Sequence, residues 1–224
     1  MRLLAHRGLA RLHPENTLAA FAAALACGFQ GLETDVRLSA DGDAVLYHDR
    51  LSPQGHAVAG LTRKELSHQA GYIVPTLNEA LDAFPDAFWN IELKTPACAA
   101  SSFATIRSFQ HKTQILLSSF HHQLALEAAN TLDTYCALLL AHRPIALNTL
   151  IEHTISNPRL RTLVWDYDII DPDFLIEARK LGFLHFVYGA SNEKEHAWCR
   201  DFGVDGLITD FPEWVGLSVV PSVQ

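Results

Sequence analysis

The chain has 224 residues, 49% hydrophobic and 19% charged. That is enough for one well-buried core and short for two full-sized domains, so one domain over residues 1–224 is expected. Lys and Arg number 17 against 25 Asp and Glu, a formal charge of -8, which sets the mean field against nucleic acid or an anionic membrane and favours a small-molecule partner.

No apolar run approaches the ~20 residues needed to span a bilayer. The opening MRLLAHRG lacks a basic segment followed by a long apolar stretch. A cytoplasmic chain without stable membrane association is therefore expected, its oligomeric state left open. Cys27, Cys98, Cys136 and Cys199 are far apart and set among Ala, Leu, Phe or Trp, a pattern of buried free thiols rather than disulfides or a zinc site.

In chain order, short runs rich in branched and aromatic residues predict strands at Arg2 to Ala5, Gly31 to Val36, Phe88 to Leu93, Gln114 to Ser118, Tyr135 to Leu140, Thr162 to Trp165, Leu184 to Tyr188 and Gly206 to Thr209. Between them, helical spacing predicts helices at Asn16 to Cys27, Thr76 to Phe84, Ala97 to Phe109, His121 to Asn130, Asp173 to Leu181 and Glu193 to Phe202. Gly28, Gly182 and Gly203 stand where a left-handed helix stop is expected. The fifth connection, Arg143 to Pro158, holds only a short helical stretch bracketed by prolines. Eight strands alternating with helices predict an α/β fold, the (β/α)8 barrel.

One segment breaks the alternation. Asp41-Gly42-Asp43 signals a tight turn, so Ala44 to Tyr47 is expected to be a short extra strand pairing back on the second barrel strand. From His48 to Pro75 a loop excursion with one helical turn is expected. No fixed-period repeat or low-complexity tract is present.

In such a barrel the C-terminal ends of the strands line the mouth. His6-Arg7 ends the first strand, Glu33-Thr34-Asp35 the second and Glu92-Leu93-Lys94 the third. Side chains two apart on a strand share a face, so Glu33 projects with Asp35, and Glu92 with Lys94. Three converging carboxylates repel one another unless an ion neutralises them, and all-oxygen donors select one hard divalent cation, Mg²⁺ or Ca²⁺. Mutual pairing with Arg7 and Lys94 alone leaves one negative charge over; a dication plus a phosphodiester of charge minus one brings the sum to zero.

His6 and His48 supply the acid and base, because imidazole titrates near working pH and each ends a strand beside the carboxylates. Other histidines lack that placement, and His185 is out of phase with Tyr188 and should face the helices. Arg7 offers a planar fork for phosphate oxygens and Lys94 a point charge on the same rim. Asp49 is expected to be a turn residue pointing away from His48, and Asn16 to cap the first helix.

Taken together, Ala5-His6-Arg7-Gly8, Pro14-Glu15-Asn16-Thr17-Leu18-Ala19-Ala20-Phe21, Glu33-Thr34-Asp35-Val36, Asp41-Gly42, His48-Asp49, Glu92-Leu93-Lys94, Ser119-Phe120 and Val204-Asp205-Gly206-Leu207-Ile208-Thr209-Asp210-Phe211-Pro212 resemble the signature of the glycerophosphodiester phosphodiesterase family over nearly the whole chain. The resemblance implies catalytic histidines at His6 and His48, metal ligands at Glu33, Asp35 and Glu92, phosphate-binding cations at Arg7 and Lys94, and release of an alcohol and glycerol 3-phosphate. Where that family usually has Trp-Thr-Val-Asn after the seventh strand, this chain has Tyr188-Gly189-Ala190-Ser191, with Asn192 one place later. Tyr188 can still give an aromatic wall, and Phe120 is a second lining candidate. The segment after His48 is short beside members with a helical insertion there, which leaves recognition of the alcohol end open.

Two rivals deserve weight. A lysophospholipase D-like or sphingomyelinase D-like enzyme would share the two-histidine and metal arrangement. A non-catalytic barrel binding phosphorylated ligands would have no use for an acid and base pair. A serine hydrolase is disfavoured by the absence of a G-x-S-x-G elbow around Ser118-Ser119.

Overall fold

The computed structural model describes residues 1–144, 146–154 and 156–218. Its parallel strands are β1 (Arg2–Ala5), β2 (Gly31–Leu38), β4 (Phe88–Leu93), β5 (Gln114–Ser119), β6 (Tyr135–Leu140), β7 (Leu160–Asp166), β8 (Leu184–Tyr188) and β9 (Gly206–Thr209). β1 pairs in parallel with both β2 and β9, which closes eight strands into a barrel. Closure removes every sheet edge except the one that carries β3 (Ala44–Leu46), an antiparallel addition to the end of β2 with Val36 opposite Leu46.

Period-two alternation divides the apolar residues of the barrel strands between the barrel interior and the layer beneath the helices. Leu4, Leu116, Ala137, Leu139, Val164, Phe186 and Ile208 fill the barrel interior. The neighbouring positions face outward into a larger core under the helices, with Trp89, Trp165, Phe21 and Leu163 fully buried there. His185 belongs to that outer layer, as its phase predicts. It is fully buried, its Nδ1 accepts from the Trp165 indole at 3.1 Å, and burial pushes its pKa down to about 4. All four cysteines are buried and free.

The helices are α1 (Leu18–Cys27), α2 (Arg63–Ala70), α3 (Leu77–Ala83), α4 (Ala99–Phe109), α5 (His122–Thr131), α6 (Leu147–Thr154), α7 (Pro172–Lys180) and α8 (Glu193–Phe202). Their ends follow local chemistry. Thr17, Thr62, Thr76 and Asn192 accept backbone N–H groups at N-termini, and Gly28, Gly182 and Gly203 take positive φ after α1, α7 and α8.

The excursion after β3 differs from expectation, because it holds a 3₁₀ turn at Val58–Gly60 and the two-turn helix α2 rather than one turn. Thr62 and Glu65 form a capping box at the start of α2, and only Leu66 in its octet is buried. Leu66 packs with Val45, Tyr47, Val58, Leu61 and Val74 in a small separate core. Among the described residues, no helix is long and apolar enough to cross a membrane.

Candidate active site at the C-terminal mouth of the barrel

Strand register assembles the acidic centre. β2 and β4 pair with Glu33 opposite Asn90 and Asp35 opposite Glu92, so Asp35 and Glu92 are lateral neighbours and Glu33 lies one same-face step below Asp35. All three are buried, and one carboxylate oxygen from each comes within 4.8 Å of the others. Expected metal ligands thus converge in space.

Their electrostatics reflect crowding. Burial, reinforced by the Asp35 charge, raises the Glu33 carboxyl to about 8. Burial and Asp35 also raise Glu92, against the pull of Lys94. Asp35 goes the other way: burial opposes its charge, but Lys94 and Arg7 together outweigh that and hold its pKa below the usual carboxylate range. Lys94 Nζ stands 2.7 Å from Glu92 Oε1 and 3.2 Å from Asp35 Oδ1, while Arg7 Nε stands 3.1 Å from Asp35 Oδ2. Two cations against three carboxylates leave Glu33 the group without full compensation, which is the charge imbalance a dication removes. Donor chemistry, convergence and burial therefore all fit a hard divalent ion on Glu33, Asp35 and Glu92.

The loop after β1 delivers the next groups through a strained turn. Arg7 has φ 55 and Gly8 φ 80. A Cβ on Gly8 would meet the Ala20 carbonyl carbon at 2.7 Å, so only glycine lets the turn lie against α1. The Arg7 amide donates to Glu33 Oε2 at 3.0 Å, and the Arg7 guanidinium also reaches Glu15 at 2.9 Å.

His6 shares the inward face of Leu4. Its Nδ1 is 3.1 Å from both carboxylate oxygens of Asp210, just beyond β9, and its Nε2 is 3.9 Å from Glu33 Oε2. Burial alone would lower its pKa, but the Asp210 hydrogen bond and the Glu33 charge outweigh burial and raise it. His48, just beyond β3, is near enough to Asp35 and Glu92 for its charge to act on both. Its Nδ1 is 2.8 Å from Asp49 Oδ1, and its carbonyl accepts from Arg37 Nε at 2.7 Å. Each imidazole thus has Nδ1 against a carboxylate, leaving Nε2 for proton exchange.

Two expectations fail here. Asp49 does not point away, because backbone beyond Leu46 has left the strand and alternation no longer governs it. Asn16 does not cap α1; Thr17 does. With φ 58, buried Asn16 turns inward, donates to Asp35 Oδ2 at 3.0 Å, and accepts from Thr34 Oγ1 at 2.7 Å and the Asp35 amide at 3.3 Å. Asp210 and Glu15 were absent from the sequence-derived set of site residues. Asp210 immediately follows the last barrel strand, and that placement at the mouth is the signal that could have found it.

Phe120 and Tyr188 meet edge to face with centroids 6.2 Å apart. Phe120 is 42% exposed on the rim, whereas Tyr188 is partly buried, donates to the Leu140 carbonyl at 3.4 Å, and feels the Glu92 charge. Asn192, one place late relative to the family run, is spent on capping α8.

Comparison with known proteins agrees with the sequence resemblance. The profile of the Glycerophosphoryl diester phosphodiesterase family matches residues 6–214. The chain is 28% identical over 234 residues to a glycerophosphodiester phosphodiesterase of Caldanaerobacter subterraneus subsp. tengcongensis, covering 94% of each. The crystal structure of the glycerophosphodiester phosphodiesterase from Thermotoga maritima superposes with a TM-score of 0.84 at 27% identity, over 95% of this chain and 96% of that one. An Oleispira antarctica phosphodiesterase, solved in complex with the product sn-glycerol-3-phosphate, shares the fold at a TM-score of 0.82 and 24% identity, over 95% of this chain and 94% of that one.

Proposed function

The chain belongs to the glycerophosphoryl diester phosphodiesterase family, a family of phosphoric diester hydrolases, and from that premise we propose that it hydrolyses glycerophosphodiesters such as glycerophosphocholine or glycerophosphoethanolamine. Products are an alcohol and glycerol 3-phosphate, the latter being the product held by the Oleispira antarctica phosphodiesterase. The observation carrying this reading is the convergence of Glu33, Asp35 and Glu92 to within 4.8 Å beside two imidazoles that are each backed by a carboxylate.

One divalent cation, Mg²⁺ or Ca²⁺, would be held by Glu33, Asp35 and Glu92, and when bound it supplies Lewis-acid stabilisation of negative charge on oxygen. The chain's own groups do the remainder. Arg7 and Lys94 flank Asp35 and offset charge as the phosphorus becomes five-coordinate. One of His6 and His48 takes a proton at Nε2 from the nucleophile, which is water or the neighbouring glycerol hydroxyl with water then opening the cyclic phosphate, and the other gives its proton to the departing alkoxide. Asp210 and Asp49 keep the Nδ1 hydrogen in place, so that Nε2 is the exchanging atom on both rings. Phe120 and Tyr188 wall the substrate's carbon skeleton.

A phosphodiester panel run in EDTA and after metal add-back tests the proposal. Cleavage of glycerophosphocholine or glycerophosphoethanolamine, lost with EDTA and restored by Mg²⁺ or Ca²⁺, is expected. Cleavage of lysophospholipids with both water-soluble diesters untouched would reject it.

A further inference from the structure

His196 lies on α8, outside the barrel, yet it is 1% exposed with both ring nitrogens engaged. Alternation along β9 explains what it engages. Ile208 points into the barrel, Thr209 points out toward α8, and Asp210 returns to the mouth.

Thr209 is a junction. Its carbonyl accepts from the His6 amide at 3.1 Å, its hydroxyl accepts from the Phe211 amide at 3.0 Å, and His196 Nε2 is 2.7 Å from the same hydroxyl. His196 Nδ1 is 2.8 Å from the Asn192 carbonyl. A carbonyl can only accept, so Nδ1 carries the hydrogen, and in the neutral ring Nε2 is then the acceptor. Thr209, already accepting from Phe211, then donates its single hydrogen to Nε2. Phe211 and Trp214 present ring edges to the imidazole with centroids at 6.0 and 5.0 Å and hold it in this pose.

We propose that His196 is a positioning residue for His6: by fixing the Thr209 hydroxyl it pins the backbone on both sides of Asp210, and Asp210 in turn orients the His6 ring. This inference rests on the reading of His6 as a proton-transfer group. Without an acceptor at Nε2, the buried Thr209 hydroxyl either goes unsatisfied or rotates away from the Phe211 amide. In both cases the turn that aims Asp210 loosens.

Turnover of glycerophosphocholine with Mg²⁺ should separate positioning from packing. His196→Phe keeps an aromatic ring against the stacked Phe211 and Trp214 but removes the acceptor, so kcat should fall about 10- to 100-fold with KM within about 2-fold of wild type. His196→Gln, whose side-chain oxygen can take the Thr209 hydrogen, should recover most of that loss. Thr209→Val and Thr209→Ser form a second pair, with the same expected loss and recovery, should His196→Phe not fold. Independently of activity, ¹⁵N NMR should find the His196 ring as the Nδ1–H tautomer. A folded His196→Phe or Thr209→Val with wild-type kcat, a loss that falls on KM, a loss that neither Gln nor Ser recovers, or an Nε2–H tautomer overturns the inference. His6→Ala is the control for the premise: wild-type turnover in that variant overturns the role of His6 itself.

Discussion

Asp35 and Glu92 stand directly opposite each other in the parallel register of β2 and β4, with the Lys94 ammonium 3.2 Å from one and 2.7 Å from the other. Both carboxylates draw on one cation, and Glu33, beside them, has no lysine partner. Glu33 is therefore the least compensated of the three carboxylates.

Its pKa gives a pH prediction with a definite sign. With the Glu33 carboxyl near 8 in the metal-free fold, against 4.5 normally, the folded chain binds a proton that the unfolded chain releases. That contribution to stability is fully present below about pH 4.5 and is lost as pH rises through about 8. In EDTA, Tm should decline over this window, and saturating Mg²⁺ should abolish the decline. Cation affinity should rise with pH up to about 8, with proton release on binding near about pH 7. Calorimetry in two buffers of different ionisation enthalpy measures that release; its absence would contradict the assignment of Glu33 as a ligand.

Removing either imidazole should remove a proton transfer without disturbing the barrel, since both rings lie at the partly open mouth. His6→Ala and His48→Ala should each lower kcat by ~10²–10⁴, with circular dichroism unchanged. Near-wild-type kcat in both variants would exclude the two-histidine mechanism.

Asn16 holds Asp35 by two hydrogen bonds, and the neighbouring Thr34 hydroxyl by a third, from a left-handed backbone. Asn16→Gly keeps that conformation accessible and deletes the contacts, so it should weaken cation binding about 10- to 100-fold. Asn16→Ala should add roughly 1–3 kcal/mol of destabilisation from a β-carbon at positive φ. Cation titrations followed by intrinsic fluorescence, together with thermal melts, separate these effects; equal melting of the two variants would argue against the strain.

Gly8→Ala places a methyl group 2.7 Å from the Ala20 carbonyl carbon at φ 80. Loss of roughly 2–5 kcal/mol is expected, read from urea denaturation. Turnover should fall further than stability explains, because the displaced turn also carries the Arg7 amide that holds Glu33.

Barrel strands were legible because branched and aromatic runs repeat between helical stripes, and β1, β4, β6, β8 and β9 have the predicted ends. Convergence of Glu33, Asp35 and Glu92 was legible because period two on a strand is a rigid rule. α2 was harder to read: RKELSHQA buries one side chain, so it has no apolar stripe, and its start is marked only by the Thr62 and Glu65 box. Asn16 and Thr17 are both capping types in adjacent places, and which one turns inward depends on Asp35, a contact 19 residues away. Asp49 defeated alternation because it lies past the end of its strand.

His6 and Asp210 are 204 positions apart in the chain yet share a bifurcated contact, made where β1 meets β9. A nascent polypeptide therefore has every carboxylate of the acidic centre well before its first imidazole is braced. The brace on His6 forms only once translation has passed the ninth strand, and any truncation upstream of residue 210 would yield a product that lacks it while retaining Glu33, Asp35 and Glu92.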